Sequence, residues 1–296
     1  MTRRIAWLAA MWLLNGVSAI AHAQERRKPG RPEQEGGARA GGAAVAGIAN
    51  PRLVELTHEL GATTPSWPGS PQGFRLDTIA AGRNAEGRYA AMFSLSLPEH
   101  FGTHLDAPHH FDERGATPAQ LPLWRLMGPA VVIDVSDSAA ANRDYTVRRE
   151  DIEHFEAEHG PIPELTIVLV RTGYAAYWPN RARYFGWDST QTPVQTHFPS
   201  LGEAAVRFLV NERRIAAVGV DVASTDAGTA SAFPVHRLLG EAGVPGFENL
   251  ADLSELPPTG AYVVALAPRI VGGSGGPLRV VALMPRRDRG NRTNRR

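Results

Sequence analysis

The chain has 296 residues, and 43% of them are hydrophobic, which is enough to form a substantial core in one large domain or two small ones. Its 31 Lys and Arg residues nearly balance its 30 Asp and Glu residues, so the total charge does not indicate a nucleic-acid-binding protein. Cysteine is absent, which excludes disulfides, thiolate zinc sites and a cysteine nucleophile. Any metal ion must therefore be bound by histidine and carboxylate side chains.

The N-terminal residues have the pattern of a secretory signal peptide, residues 1–23. Arg3 and Arg4 form a basic region, residues 5–14 are apolar, and the Ala-His-Ala of residues 21–23 matches a cleavage site. The apolar run is shorter than the roughly 20 residues that cross a bilayer, so a retained membrane anchor is the less favoured alternative. We expect export to the periplasm or the medium, with no membrane attachment after cleavage.

Two segments of biased composition flank the remaining chain. Residues 24–50 consist mainly of Gly, Ala, Arg, Glu and Pro, which cannot bury enough apolar surface to offset the entropy of ordering, so they are predicted to be a disordered linker. Residues 285–296 are rich in Arg and are predicted to be a basic, solvated tail. A single folded domain is expected over residues 51–284.

Within this domain, short segments rich in Val, Ile and Leu are bounded mostly by Gly, Pro, Asp or Asn, which is typical of strands. The predicted strands are residues 53–56, 130–135, 165–171, 216–222, 261–267 and 278–284. Apolar residues recur at helical spacing in residues 149–158, 202–212 and 235–241. Strands that alternate with helices predict one mixed α/β domain.

Potential metal ligands are most concentrated in residues 100–111, which have the sequence His-Phe-Gly-Thr-His-Leu-Asp-Ala-Pro-His-His-Phe. Gly102 and Pro108 oppose a helix, whereas an extended chain places His100, His104 and Asp106 on one face. In a flat strand the two histidines would be roughly 13 Å apart, near the limit for sharing one ion, so the chain must bend, and Gly102 permits it. The pattern predicts a metal site of imidazoles and a carboxylate. An ordinary buried hydrogen-bonded pair is the alternative for His104 and Asp106.

The histidines after this segment have a different predicted role. Pro108 ends the extended chain and is expected to turn His109 and His110 away from the line of ligands. His110 therefore suits a general acid or base beside the metal better than a ligand, and His109 is expected to be a bystander.

This string is similar to the H-x-G-T-H-x-D-x-P-x-H signature of the cyclase and kynurenine formamidase family, and every fixed position of the signature is present. Residues 171–174, 218–221, 236–239 and 248–250 also resemble segments of that family, so that the resemblance covers about residues 53–283. The resemblance implies a single α/β domain with a swivelling β/β/α fold and a metal-dependent hydrolase activity.

The resemblance also implies a ligand set. In the family two metal ions share a bridging aspartate, which assigns His100, His104 and Asp106 to one ion and Asp106, His236 and Glu248 to the other. The residues alone would not have singled out His236 or Glu248. Zinc is expected, with manganese as the alternative, and one or two ions remain open.

The expected reaction is attack of metal-activated water on a formamide or a cyclic amide, with His110 delivering a proton to the leaving nitrogen. N-formylkynurenine, from tryptophan breakdown, is the substrate that the resemblance favours, and an isatin-like lactam is the alternative. A non-catalytic metal-dependent binding protein is a further alternative. A serine hydrolase is less favoured, because the chain has no G-x-S-x-G and Ser274 lies in a glycine-rich turn.

The resemblance further implies a homo-oligomer, with a dimer expected, and a small-molecule amide as the only other partner. The sequence assigns no role to His58, His109 or His197. Asp221 follows an apolar segment and is expected to orient a ligand or a loop rather than to bind metal.

Overall fold

The computed structural model describes residues 50–70, 73–178, 180–187, 190 and 195–285. All of them lie in one compact unit, Glu35–Arg296; a second unit, Met1–Gln34, lies outside the described residues. The predictions of a signal peptide, of a linker before residue 50 and of a basic tail after residue 285 therefore fall outside the described part of the chain. Within that part, no helix has the length and apolar character that crossing a membrane requires.

The strands of the described residues, in chain order, are β1 (Arg52–Glu55), β2 (Arg75–Arg83), β3 (Tyr89–Ser96), β4 (His104–Asp106), β5 (Met127–Asp134), β6 (Thr146–Val147), β7 (Ile167–Arg171), β8 (Ser200–Leu201), β9 (Ala217–Val220), β10 (Gly246–Glu248), β11 (Ala261–Leu266), β12 (Gly275–Pro277) and β13 (Arg279–Met284). The α-helices are α1 (Leu123–Leu126), α2 (Ser136–Ala141), α3 (Arg149–His159), α4 (Arg181–Phe185), α5 (Glu203–Asn211) and α6 (Pro234–Glu241). Short 3₁₀ turns span Pro108–His110 and Tyr174–Tyr177.

Nine of these strands form one mixed sheet in the order β1-β13-β11-β5-β7-β9-β10-β4-β12. Its centre, β5-β7-β9-β10, is parallel, and the strands on both sides of this centre pair antiparallel. The crossovers between the parallel strands carry helices, as parallel pairing requires. The mixed α/β domain predicted from the sequence is confirmed.

Both faces of the sheet are buried, which explains why its central strands are continuous apolar runs rather than alternating ones. In β7, Val168 and Val170 face a core shared with α3, α5 and α6, whereas Ile167 and Leu169 face a second core on the opposite side. Each predicted strand and helix is present within a few residues of its predicted bounds.

The strands β2 and β3 form a separate antiparallel hairpin that the sequence analysis did not predict. Every residue of both strands is exposed. Leu76 pairs with Leu95, and Phe93, Ala91 and Tyr89 share the face of Leu95 because they precede it by two, four and six residues. One face of the hairpin is therefore apolar, and we call it the apolar hairpin face. The opposite face carries polar residues such as Ser94.

Candidate metal centre

Strand pairing brings the predicted ligands together across long stretches of sequence. The strand β4 pairs antiparallel with β10, and this register sets His104 directly opposite Glu248. Directly paired residues project from the same face of a sheet, so the two side chains meet on one side. His236 reaches the same point from α6. All six predicted site residues line or border a single cavity.

The side chains meet around the carboxylate of Asp106, which is buried. His100 Nδ1 lies 2.6 Å from its Oδ1, and His104 Nε2 lies 3.2 Å from the same oxygen. His236 Nε2 is 2.9 Å from its Oδ2 and 3.1 Å from Oε1 of Glu248. The second oxygen of Glu248 is 3.5 Å from His104 Nε2. Asp106 thus contacts all three histidines at once.

This donor set fits a divalent ion. Ligand atoms that each lie about 2.1 Å from one ion are separated from one another by roughly 3.0–3.4 Å, close to the separations around Asp106 and Glu248. Two groups of candidate ligand atoms, each group within 4.8 Å, share Asp106: His100 with His110, and His104 with Glu248. A shared aspartate agrees with the implied bridging role, although the grouping of the histidines differs from the implied one.

The chain bends before β4, at the position where the sequence analysis placed a bend. The strand begins only at His104, and Gly102 takes a φ of +66°, a left-handed conformation that suits glycine. A β-carbon at Gly102 would also collide with Leu60. The bend at Gly102, which the sequence did require, lets His100 turn back onto Asp106.

Each predicted histidine ligand is held through its other ring nitrogen. His104 Nδ1 donates to the carbonyl of Gly102 at 2.9 Å, which leaves Nε2 free to bind a metal. His236 Nδ1 lies 2.6 Å from Oδ2 of Asp226. His100 uses Nδ1 toward Asp106, and its Nε2 lies 2.8 Å from the hydroxyl of Ser274. These partners fix which nitrogen of each ring faces the ligand cluster.

The contact between Ser274 and His100 also resembles part of a serine hydrolase site, because His100 links a serine to an aspartate. The Ser274 hydroxyl, however, donates to Oε2 of Glu99 at 2.8 Å, and the Ser274 backbone N–H donates to the same oxygen. Burial would raise the pKa of Glu99, but these hydrogen bonds outweigh it and lower the pKa. Ser274 does not line the cavity. Its geometry suits holding His100 rather than attacking a substrate.

The cluster concentrates negative charge in a buried place. Among the described residues, every ion pair of Asp106, Asp226 and Glu248 is with a histidine. Burial opposes both charged forms, yet contacts with histidines hold the pKa of Asp106 well below its usual range, and the carboxylates raise the pKa of His236 well above its own. In the metal-free protein, protons on the histidines balance the carboxylates, so a metal ion must displace protons to bind.

His110 returns to the cluster after the 3₁₀ turn Pro108–His110. Its ring stacks on His100 with centroids 3.9 Å apart and lies 5.7 Å from the ring of His236. The expectation that Pro108 turns His110 away is wrong, because one tight turn brings the ring back over the site. Burial lowers the pKa of His110, Asp106 raises it, and the neighbouring histidines lower it, so that the pKa falls from 6.5 to about 4. The imidazole is therefore neutral near pH 7.

The cavity beside the cluster has a volume of about 250 Å³. Aromatic rings form much of its wall, namely Trp67, Phe111, Phe185 and Phe233. A larger cavity of about 550 Å³ lies beside the beginnings of β5 and β7, but its lining contains one histidine and no carboxylate. Chemistry rather than volume therefore identifies the candidate site.

Four polar residues that the sequence did not assign to the metal do not line the cavity, namely His58, His109, His197 and Asp221. His58 is largely buried and stacks on Trp178. The ring Nδ1 of His109 is buried without a hydrogen-bond partner, and His197 pairs with the carboxylate of Asp144. Asp221 accepts hydrogen bonds from the backbone N–H groups of residues 172 and 173, in keeping with the expected orientation of a loop.

The sequence analysis missed Asp226 and Ser274, which contact predicted ligands, and Glu99, which holds Ser274. Ser274 and Glu99 meet across 175 residues of chain, and Asp226 reaches His236 from a loop ten residues earlier. No local pattern marks any of them, because each acts through a contact that forms only in the folded chain.

Several known proteins are similar to this chain. The family model Cyclase ("Putative cyclase") matches residues 54–227. Isatin hydrolase of Roseibium aggregatum is 34% identical over 211 residues, which are 69% of this chain and 78% of that protein. Kynurenine formamidase of Salinibacter ruber is 29% identical over 230 residues, 77% of this chain and 96% of that protein. The structure of isatin hydrolase A from Labrenzia aggregata bound to benzyl benzoate has a TM-score of 0.73 and 35% identity, and covers 82% of this chain and 98% of its own.

Proposed function

Since the chain belongs to the cyclase family, as the matched model and the relatives establish, we propose that it hydrolyses an aryl formamide of the N-formylkynurenine type. Family membership makes it a metal-dependent hydrolase of C–N bonds other than peptide bonds. The observation that carries the proposal is the cluster of histidines and carboxylates around Asp106, which opens into a cavity with aromatic walls. Tryptophan breakdown would supply such a substrate.

The ligands proposed for the metal are His100, His104, Asp106, His236 and Glu248. A bound divalent ion would polarise the amide carbonyl and lower the pKa of water from about 15.7 toward roughly 7. Zinc is the proposed ion because imidazole and carboxylate donors suit it, and manganese is the alternative. The position of Asp106, between two groups of candidate ligand atoms, supports two ions rather than one.

His110 is proposed as the group that moves the proton. Because its imidazole is neutral near pH 7, it can accept a proton from the attacking water and then donate this proton to the leaving nitrogen. An amide nitrogen is a poor leaving group unless it is protonated, so the second transfer is essential. The stacking of His110 on His100 keeps its ring beside the reacting atoms.

The aromatic walls support a planar substrate. Trp67 and Phe185 meet edge to face with centroids 5.6 Å apart, and Trp67 remains 42% exposed, so that it can contact a ligand at the mouth of the cavity. Phe111 packs against Phe233 near the ligands. An aryl ring between these side chains would present its amide to the metal.

Separate roles for a ligand and for the proton carrier are tested by two substitutions. His104→Ala should lose both bound metal and turnover, whereas His110→Ala should keep its metal and lose at least about 100-fold in turnover of a formylated arylamine. His154→Ala, on the exposed face of α3, is the matched control and should change neither. Metal analysis and kinetics are measured on the same samples. Equal metal loss in the two variants would refute the role of His110, since His110 lies close enough to be a ligand itself.

A lactam such as isatin is the second candidate substrate. It is favoured because the isatin hydrolases are more similar to this chain than the kynurenine formamidase above, at 34–35% against 29% identity. A comparison of kcat/KM for N-formylkynurenine and isatin, with zinc and then manganese added, distinguishes the two. A higher kcat/KM for isatin would make the lactam the proposed substrate in place of the formamide, and the proposed role of the metal would stay the same.

The arrangement of Ser274, His100 and Asp106 calls for a direct test against serine catalysis. We expect Ser274→Ala to retain hydrolysis when metal is in excess, because the serine only holds His100. Loss of all turnover in a variant that still binds metal would favour the serine mechanism.

A homodimer is also proposed, and the apolar hairpin face supports it. A two-stranded hairpin with every residue exposed is marginally stable alone, and an apolar face of this kind marks a site of association. Phe93→Glu, on the apolar hairpin face, should convert a dimer to a monomer in light scattering, whereas Ser94→Glu, on the opposite face, should not. A dimer in both variants would exclude this surface.

Export to the periplasm or the medium is proposed from the residues of the predicted signal peptide. N-terminal sequencing of protein recovered from outside the cytoplasm should begin near residue 24. An intact N-terminus on cell-associated protein would contradict the proposal.

A further inference from the structure

Asp226 contacts His236 from the side opposite the ligand cluster. Its carboxylate is 2% exposed, and its Oδ2 lies 2.6 Å from Nδ1 of the His236 ring. The other ring nitrogen, Nε2, faces Asp106 at 2.9 Å. We propose that Asp226 is a positioning residue, which fixes the ring of His236 so that Nε2 presents its lone pair to the metal. This inference rests on the proposed metal-dependent function.

The same carboxylate also fixes the backbone that carries His236. Its Oδ1 accepts the N–H of Val235 at 2.9 Å, and its Oδ2 accepts the N–H of His236 at 3.1 Å. These N–H groups belong to the first turn of α6, where the preceding residue, Phe233, supplies no side-chain cap. Asp226 therefore holds both the main chain and the ring of His236.

The reason for this arrangement lies in imidazole chemistry. A neutral imidazole has one nitrogen that donates and one that accepts, and a carboxylate, which only accepts, makes its neighbouring nitrogen the donor. With Nδ1–H directed to Asp226, Nε2 must be the nitrogen with the free lone pair. A carboxylate in this position also raises the basicity of the ligating nitrogen, and loss of such a partner typically weakens metal binding about 10–100-fold.

The chain contains a matched control for the same chemistry elsewhere. Asp144 lies 3.0 Å from Nδ1 of His197 at the surface, and neither residue lines the candidate site. Asp226→Asn removes the negative charge beside His236, and Asp144→Asn removes the negative charge beside His197. Only the first substitution is expected to change metal affinity.

The experiment measures the zinc dissociation constant of the full chain by competition with a chelator. Asp226→Asn should weaken binding about 10–100-fold relative to the parent, and Asp144→Asn should leave it within about twofold. If Asp226→Asn weakened zinc binding only by disturbing the fold, affinity would fall whichever residue occupied position 236. We therefore repeat the comparison in a His236→Ala background, where Asp226→Asn should have no further effect on affinity.

A second measurement does not depend on the variants folding well. The ¹⁵N shifts of the His236 ring in the zinc-loaded parent should identify a protonated Nδ1 and an unprotonated Nε2. Failure of the parent to bind zinc would overturn the proposed function itself. If the parent does bind zinc, the positioning role alone would be overturned by any one of three results. These are an unprotonated Nδ1, no loss of zinc affinity in Asp226→Asn, or an equal loss of affinity with His236 and with His236→Ala.

Discussion

The buried histidine His58 should make the fold sensitive to acid. Its ring stacks on Trp178 with centroids 4.2 Å apart, its Nε2 is buried without a hydrogen-bond partner, and burial lowers its pKa from 6.5 to about 4 despite a hydrogen bond with the backbone of Leu250. Because the folded-state pKa lies below the unfolded value, the unfolded chain binds a proton first as the pH falls. Stability is therefore lost as the pH falls from 6.5 toward 4.

The magnitude follows from these two pKa values. Between about pH 7.5 and about pH 5, the difference in proton binding removes about 2 kcal/mol from the free energy of unfolding. His58→Phe keeps a flat ring against Trp178 but cannot bind a proton. It also loses the hydrogen bond with Leu250, which costs about 1 kcal/mol at every pH. The variant should thus be less stable than the parent at about pH 7.5 and more stable at about pH 5.

The assay is urea unfolding of metal-free parent and variant across this pH range, with a chelator present so that metal binding does not contribute. His154→Phe, which alters an exposed histidine of α3, serves as the control and should follow the parent. Parallel stability curves for the parent and His58→Phe would refute the reasoning, since they would mean that His58 is protonated equally in the folded and unfolded chains.

Two further substitutions test how neighbouring residues support the site. A β-carbon at Gly275 would collide with the backbone oxygen of Leu105 and would lie 2.6 Å from Cε1 of His100. Gly275→Ala should therefore displace both β4 and the His100 ring and weaken zinc binding by at least about tenfold, whereas Gly61→Ala, which meets nothing within 4 Å, should not. Unchanged affinity in Gly275→Ala would mean that zinc binding does not depend on this pairing of β12 with β4 and His100. The Tyr184 hydroxyl donates to Oδ1 of Asn249 at 2.9 Å in a buried setting, so Tyr184→Phe should lower the free energy of unfolding by about 1–2 kcal/mol; a loss below about 0.5 kcal/mol in urea unfolding would show that Asn249 finds another donor.

The central sheet could be predicted because its strands are buried on both faces. Runs such as Ile167–Arg171 and Ala217–Val220 are almost wholly apolar and end at polar or glycine-rich turns, so composition alone reveals them. The hairpin was missed for the opposite reason. The strand β2 contains Ala, Gly, Arg and Asp, and only one of its faces is apolar, which gives a weak local pattern.

The residues of the candidate site also differ in how far the sequence alone could predict them. The segment from His100 to His110 carries its own pattern and could be recognised within a dozen residues, whereas His236 and Glu248 required the family resemblance. The partners of the ligands could not be foreseen, because Ser274 reaches His100 only after β12 has paired with β4. The return of His110 over the site also depends on one 3₁₀ turn, whose direction a proline alone does not determine.

The pairing of β4 with β10 has a consequence for how the protein assembles. It joins two stretches of chain that carry the donors, about 140 residues apart, so an unfolded chain offers no comparable chelate and an ion would bind the native form alone. Such an ion acts as a removable cross-link, worth about 2.7 kcal/mol when its free concentration is 100 times the dissociation constant. Scarcity of metal would then reduce the amount of intact protein as well as its turnover.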